Sequence, residues 1–341
     1  MLPIVKKYRP LVDIYIQDFI NKNSEKASPM ASYHMGFVDR QGNTVSNHFD
    51  GKGLRPTLVL LTAEALGHEW EKLVPLAGAL EIFHNFTLIH DDIQDNDEKR
   101  HGKPTVWKAW SMGQGINAGD TMSYLSTLSL LQLSKSDFPA EQILQAAERL
   151  TMCGILVIDG QIRDINFEER VDVTVDEYLE MISGKTGALI ETAIIIATDL
   201  IDTTAEKKKY LSIFGKQIGR TFQIADDILG IWGEEDNTGK RKYGDVIRKK
   251  KSLPIILALN NSDTEKVKVL KEIYSQKKNE LDSKEVEKIV EIFDSLNIKK
   301  EAEKMLDDAY TRSVEAARKA SLGTYEKEFV QLADLLAHRN K

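Results

Sequence analysis

Two stretches of this chain carry apolar side chains at helical spacing and end in adjacent aspartates, and no other feature restricts the fold as strongly. The first runs from Ala79 into Asp91-Asp92-Ile93-Gln94-Asp95, and the second ends in Gln223-Ile224-Ala225-Asp226-Asp227. On a helix, residues four apart share a face, so Asp91 and Asp95 stand together with Asp92 beside them. Like charges at that spacing repel. The first cluster reads either as an ordinary solvated helix end or as a site for Mg²⁺, a hard cation that takes oxygen ligands and leaves room for substrate phosphates. Two helices presenting acidic ends toward one cavity could clamp ions from opposite walls, as metal sites in helical bundles do.

The remaining pattern is also helical. Apolar periods near 3.6 dominate, strand-like alternation is rare, and eight prolines punctuate 341 residues. The spacing predicts helices over 4–22, 55–66, 70–97, 117–133, 140–166, 174–183, 188–198 and 205–232, with about three more at the C-terminal end. Pro56 suits a first helical turn, Gly67 closes that helix, Thr174 is a natural N-cap, and Gly184-Lys185-Thr186-Gly187 breaks the chain before an apolar helix. Residues 28–53 read as a long polar connection, 97–106 as a charged loop, and 233–252 as a basic, glycine-containing segment. No linker divides the sequence. The expected fold is all-α, one large helical bundle and one domain over 1–341.

Composition narrows the function. At 42% apolar and 29% charged the chain is an ordinary globular protein, and a net charge of −7 argues against nucleic acid as partner. The single cysteine, Cys153, excludes an intramolecular disulfide framework and a cysteine-rich metal site. It fits a reducing compartment, hence a cytoplasmic location, and reads as a small buried apolar residue. The stretch Ala188 to Ala197 is too short to span a bilayer and is interrupted by Glu191, and the first residues lack a secretion signal, so no integral membrane segment is expected.

If the aspartates hold Mg²⁺, the natural ligand is a phosphate ester, and cations should lie close by in sequence. Lys52 and Arg55 stand at a helix start, Arg100, His101 and Lys103 follow the first acidic cluster, Lys185 and Thr186 sit between glycines, and Lys240, Lys249, Lys250 and Lys251 follow the second pair. Any one of these is more often a solvated surface charge. Together they imply a polyphosphate site, and two rather than one, because the cations outnumber what one diphosphate needs. No nucleophile–base pair accompanies them.

The ordered series is more specific than its parts. Gly51-Lys52-Gly53-Leu54-Arg55-Pro56, His84, the DDxxD cluster at 91–95, Arg100-His101-Gly102-Lys103-Pro104-Thr105, Gly184-Lys185-Thr186-Gly187, Phe222-Gln223-Ile224-Ala225-Asp226-Asp227, then Lys240, Asp245 and Lys250-Lys251-Ser252-Leu253-Pro254 resemble the trans-isoprenyl diphosphate synthases, the polyprenyl synthetase family, over residues 45–260. The resemblance implies a bundle with a central cavity between the two aspartate-bearing helices, and Mg²⁺-dependent 1′-4 condensation of isopentenyl diphosphate with an allylic diphosphate. It implies that Lys52, Arg55 and His84 hold isopentenyl diphosphate, and that Arg100, Lys185, Lys240 and Lys250 grip the allylic diphosphate. Up to three Mg²⁺ ions would bridge that diphosphate from the motifs containing Asp91, Asp92, Asp95, Asp226 and Asp227, with Asp91, Asp95 and Asp226 as the principal ligands. Thr186 and Gln223 would turn their oxygens toward the developing allylic cation, and the protein would be a homodimer.

Three positions depart from the family pattern. Gly53 and His101 stand where arginines are usual, and Gly230 replaces the third aspartate of the second motif. His101 can still donate to phosphate, more strongly when protonated. Gly230 also brings Asp226-Asp227-x-x-Gly230-x-x-x-Glu234 close to the second metal motif of class I terpene cyclases, which act on one prenyl diphosphate and have no use for Lys52, Arg55 and His84. A non-catalytic subunit of a heteromeric synthase is a third reading, although such subunits typically lose their acidic motifs. Phe86 and Thr87 lie five and four residues before Asp91, one turn below it, a pattern resembling synthases that stop at twenty carbons, with fifteen as the close alternative. Phe86 is equally readable as plain core, and Phe83 or Met122 as the floor of the product pocket.

Overall fold

The computed structural model describes residues 2–45, 53–233, 242–278 and 280–338; Lys52 and Lys240 lie outside them. Helices dominate the described residues: α1 Pro3–Asn23, α2 Ser28–His34, α3 Leu54–Ala65, α4 Val74–Gln94, α5 Val106–Ala109, α6 Met112–Leu131, α7 Ala140–Glu168, α8 Val175–Ile182, α9 Ala188–Leu200, α10 Ala205–Trp232, α11 Gly244–Ile247, α12 Leu253–Leu259, α13 Thr264–Tyr274, α14 Ser283–Ser295, α15 Ile298–Lys319 and α16 Glu326–Ala337. The fold is all-α, as the periodicity predicts. The chain forms two compact units, Met1–Thr151 with Thr192–Thr204, and Met152–Glu191 with Ala205–Lys341.

In the first unit α4 is the central element, with Pro75 in its first turn and an almost continuous buried run from Val74 to Phe83. Two serines of α6 tie it down: Ser126 Oγ donates to Ala79 O at 2.9 Å and Ser129 Oγ to Pro75 O at 2.8 Å. A hydroxyl satisfied by a neighbouring helix carbonyl can sit in a core without the penalty of a buried unpaired group. The second unit is built on α10, whose Leu211, Phe214, Ile218, Ile224 and Ile231 are buried, and whose Phe214 meets Phe329 of α16 edge-to-face at 5.1 Å. Around the other end of α10, Phe167, Tyr178, Ile182, Val246, Leu253, Ile256 and Phe293 form one apolar cluster.

Several boundaries differ from the sequence reading. The stretch 28–53 is not wholly a connection: Ser28–His34 is helical, started by Pro29 and stabilised by burying Met30, Ala31 and Tyr33. The predicted loop after Asp97 contains a hairpin, β1 Lys99–Arg100 paired antiparallel with β2 Lys103–Pro104. Its turn residues His101 and Gly102 have φ of 51° and 77°, the double positive φ of a type I′ hairpin, which the His-Gly pair tolerates. Helix α6 begins at Met112 rather than 117 because Ser111 caps it, Oγ accepting from Gln114 N–H at 3.2 Å. Thr174 forms the full reciprocal capping box with Glu177. Among the described residues five helices, rather than about three, follow the 233–252 segment.

The Gly184–Gly187 stretch does not break its helix. Ser183–Gly187 is a π-helical turn that joins α8 to α9. The resulting run Val175–Leu200 is long and apolar enough to cross a membrane by length and composition, contrary to the sequence reading, but 78% of its most apolar window is buried inside the protein. It is a core helix.

Candidate active site

The end of α4 separates its aspartates by function. With about 100° per residue, Asp91 and Asp95 lie on one face and Asp92 on another. Asp91 is partly exposed and Asp95 exposed, whereas Asp92 is 1% exposed. Arg100 of the hairpin binds Asp92 Oδ1 through Nε at 2.8 Å and Nη2 at 2.7 Å, with Nη2 at 4.0 Å from Asp91 Oδ2. Asp92 Oδ2 is buried without a partner. Burial, opposed by Arg100, pushes the Asp92 carboxyl up to about 6. Asp92 is thus turned into the protein as the anchor of Arg100, while Asp91 and Asp95 stand on the outward face.

The hairpin is locked onto this helix end. Trp107 Nε1 donates to the carbonyls of Asp92 at 3.0 Å and Asp97 at 2.9 Å, and Thr105 Oγ1 donates to Asp97 O at 2.9 Å. Lys103 Nζ donates to Tyr33 O at 2.5 Å and lies 4.5 Å from the centre of the Tyr33 ring, while Tyr33 Oη donates to Pro104 O at 2.7 Å. Helix α2 and the hairpin therefore clip each other. Burial alone lowers the Lys103 ammonium to about 8.

Behind these groups lies a basic cradle. Arg55, in the first turn of α3, is 8% exposed, and His34, at the end of α2, is 6% exposed. Burial, then Arg100, Lys103 and His101, hold the His34 pKa down at about 3. Burial, then Arg55, Arg100 and His34, likewise keep His84 neutral. His101 is lowered by burial, Arg100 and Lys103, so it donates as a neutral imidazole rather than in the protonated form considered above. Glu81 is the buried counter-charge; burial raises its pKa against the pull of Arg9 and Arg55. Permanent guanidiniums beside neutral histidines create a site that prefers an anion.

In the second unit the adjacent aspartates divide in the same way. Asp226 is partly exposed and Asp227 buried. Asp227 Oδ2 accepts from Tyr178 Oη at 2.6 Å and from Leu253 N–H at 2.7 Å, and Oδ1 accepts from Gln223 Nε2 at 2.9 Å. Both oxygens serve protein donors, so Asp227 is an internal acceptor in this arrangement. Burial raises it to about 6, against Lys250. Its bond fixes the Gln223 amide, whose Oε1 accepts from Thr186 Oγ1 at 2.8 Å. The two oxygens expected to face the allylic cation are joined as donor and acceptor of this bond.

Glycines bring the π turn into place. A β-carbon at Gly160 of α7 would lie 2.2 Å from Lys185 N, and one at Gly219 of α10 would lie 2.8 Å from Gly187 Cα. This close approach lets Lys185 Nζ reach Asp164 Oδ2 at 2.6 Å. Lys250 sits among four carboxylates; burial opposes its charge, but Asp245, Asp227, Asp164 and Asp226 outweigh it and keep the ammonium. A β-carbon at Gly230 would lie 2.2 Å from Asp245 Oδ2. The glycine that replaces the third aspartate makes room for the carboxylate of Asp245. Asp164, Tyr178 and His34 went unnoticed in the sequence, where none of them belongs to a charged cluster.

Among the described residues no three His, Cys, Asp or Glu side chains form a ready metal cage. The exposed-face pair Asp91 and Asp95 nevertheless fits Mg²⁺, which is usually held by one or two carboxylates and completed by substrate phosphates and water. Below the pair, Phe86 is 7% and Phe83 6% exposed, their rings edge-to-face at 4.6 Å. Phe86 also meets His90 at 5.9 Å, and His90 lies over α6, where a β-carbon at Gly119 would fall 2.2 Å from its Nε2. Met122 is fully buried, and Thr87 Oγ1 donates back to His84 O at 2.7 Å.

Comparison with known proteins agrees with this chemistry. The Polyprenyl synthetase family matches residues 42–293. The chain is 36% identical over 254 residues to a (2E,6E)-farnesyl diphosphate synthase of Mycobacterium bovis, covering 74% of this chain and 69% of that one. It is 35% identical over 242 residues to a geranylgeranyl diphosphate synthase of Mycobacterium tuberculosis, covering 71% and 68%. The crystal structure of a polyprenyl synthetase from Streptomyces coelicolor A3(2) superposes with a TM-score of 0.88 at 32% identity, covering 98% of each chain. This chain belongs to the polyprenyl synthetase family.

Proposed function

We propose that this chain condenses isopentenyl diphosphate with an allylic diphosphate of five to fifteen carbons, releasing diphosphate and forming an all-trans short-chain prenyl diphosphate of fifteen or twenty carbons. The observation that carries the reading is the pairing, within one unit, of the outward carboxylates Asp91 and Asp95 with the cradle of buried Arg55 and His34 and half-buried His84. The first suits a metal-bridged diphosphate and the second a metal-free one, and only chain elongation needs both.

In this reading Asp91, Asp95 and Asp226 hold Mg²⁺. When bound, the metal would neutralise charge on the departing diphosphate. Arg100 is fixed by Asp92 and Lys185 by Asp164, so each is a cation held for diphosphate without reorganising as the carbon–oxygen bond breaks. Lys250, kept charged by its carboxylates, adds a third cation, and Lys240 belongs to the same set by sequence. Thr186 and Gln223 present lone-pair oxygens whose directions the Asp227 bond fixes. Arg55, His84 and the neutral donor His101 hold the isopentenyl diphosphate while its double bond attacks the allylic carbon. The proton lost from the adduct goes to the leaving diphosphate, because burial and neighbouring cations make the cradle histidines weak bases. Phe86 closes the product pocket, with Thr87 giving it room.

A cyclase is the second reading, suggested by Gly230. Asp245 weakens it, since its carboxylate fills the space beside that glycine. The deciding experiment supplies the protein and Mg²⁺ with C5, C10 and C15 allylic diphosphates, with and without isopentenyl diphosphate, and separates products by chromatography. Elongation only when isopentenyl diphosphate is present supports the proposal. Hydrocarbon from an allylic diphosphate alone supports the cyclase, and turnover only with a second polypeptide supports a subunit role.

We also propose a homodimer in the cytoplasm. Ile116, Tyr124 and Leu128 on α6 are exposed at helical spacing in the first unit, an apolar face that suits a second copy of this chain. Light scattering at twice the mass of one chain would support this, and a monomer would oppose it. Cys153, the one cysteine of the sequence, is buried.

A further inference from the structure

Gly53 raises a question that the family resemblance leaves open: what stands where the usual arginine is missing. The residue caps α3 with φ 51°, in the left-handed region, and is buried. A β-carbon built there would meet Arg9 of α1, at 3.1 Å from Cδ and 3.3 Å from Nη1. Arg9 is itself held in place. Its Nε donates to both oxygens of Asp13, one turn along α1, at 3.0 and 2.9 Å, and its side chain is 16% exposed. Because Asp13 takes the guanidinium through Nε, the Nη edge is the one presented to Gly53 and the start of α3.

We propose that Arg9 is a diphosphate-binding residue of the isopentenyl site, its guanidinium occupying the space opened by Gly53. The assignment rests on the elongation reading given above. Three observations carry it. Arg9 Nη1 lies against Gly53 at the N-terminus of α3, the helix end whose dipole favours an anion. Arg55 stands two residues further along that helix, and Arg9 and Arg55 both act on the buried Glu81 carboxyl, so the two guanidiniums share one neighbourhood. Finally, Asp13 and Glu81 give this pair fixed counter-charges, which orient donors before the ligand arrives and reduce what binding must organise. An arginine at 53 would have to adopt a strained positive φ and collide with Arg9; one cation from α1 does the work of one from α3.

The test uses the full chain and the variants Arg9→Gln and Arg9→Lys. KM is measured for each substrate with the other saturating, and equilibrium binding of isopentenyl diphosphate is measured without Mg²⁺. Loss of a charge-assisted bond should raise KM and Kd for isopentenyl diphosphate about tenfold in Arg9→Gln, with a smaller rise in Arg9→Lys. KM for the allylic diphosphate and kcat should stay within about twofold. An unchanged isopentenyl Kd in folded Arg9→Gln overturns the proposal, as does a parallel rise in both KM values with a fallen Tm, which marks a purely structural role. If Arg9→Gln does not fold, Asp13→Asn decides: it keeps Arg9 but removes its orienting partner, and should weaken isopentenyl binding about threefold; no weakening overturns the proposal. Should the wild-type chain condense nothing, the elongation reading fails by itself, while the binding comparison still reports on Arg9.

Discussion

Restoring the missing third aspartate of the second motif should damage this protein. A naive comparison of motifs would make Gly230→Asp a repair. The geometry predicts the opposite, because the new β-carbon would lie 2.2 Å from Asp245 Oδ2 and 2.6 Å from its Cγ. Asp245 is 5% exposed and cannot swing into solvent without vacating its place beside Lys250. Overpacking of this kind costs about 1–3 kcal/mol. A second carboxylate about 4 Å from the first adds up to about 4 kcal/mol of repulsion at an effective dielectric near 20, part of which proton uptake and Lys250 relieve. A net loss of about 2–5 kcal/mol follows, read as the shift of the urea unfolding midpoint by circular dichroism. Gly230→Ala isolates the steric part, about 1–3 kcal/mol. The exchange Gly230→Asp with Asp245→Gly returns one carboxylate to the space and should recover most of the stability and part of the turnover. A Gly230→Asp single variant as stable and active as the wild type would refute the reasoning.

Two other outcomes follow from the buried groups. His34 is kept neutral in the folded chain, with its pKa down at about 3, while the unfolded chain takes up a proton below its ordinary 6.5. Stability is therefore lost as pH falls through that window, by about 2 kcal/mol between pH 7 and 5 at roughly 1.4 kcal/mol per unit. His34→Gln should show a shallower fall over the same range; Asp92 and Asp227, whose raised values act with the opposite sign, remain in both proteins, and identical slopes would contradict the assignment. Phe86→Ala should lengthen the product beyond twenty carbons by removing the ring between Phe83 and His90, at a core cost of about 3–5 kcal/mol. An unchanged product profile in a folded variant would leave Phe86 as core alone.

Much of the fold was legible because helical periodicity and capping are local. The Thr174 box and the span of α10 needed only a few neighbouring residues. The helix wheel also separates Asp92 from Asp91 and Asp95, so the inward turn of Asp92 was readable in principle; what the wheel does not give is which face the tertiary structure buries. The His101-Gly102 hairpin had a local signal that a charged loop obscured. The π turn at Ser183–Gly187 had none, since it depends on Gly160 and Gly219 approaching from other helices. Arg9, Asp164 and Tyr178 were invisible for the same reason. Each acquires its place only through a partner far away in sequence, at Gly53, Lys185 and Asp227.

We propose that one chain binds two diphosphates by different physics, one through metal at Asp91, Asp95 and Asp226 and one without metal, through the Arg55 guanidinium and the neutral His84 imidazole. Calorimetric titration with isopentenyl diphosphate and with a non-reactive allylic thiodiphosphate, each with Mg²⁺ and with EDTA, tests it directly. The account predicts that EDTA abolishes binding of the allylic analogue and leaves isopentenyl diphosphate binding at one per chain. Loss of both ligands in EDTA, or competition of the two for a single site in Mg²⁺, would contradict it.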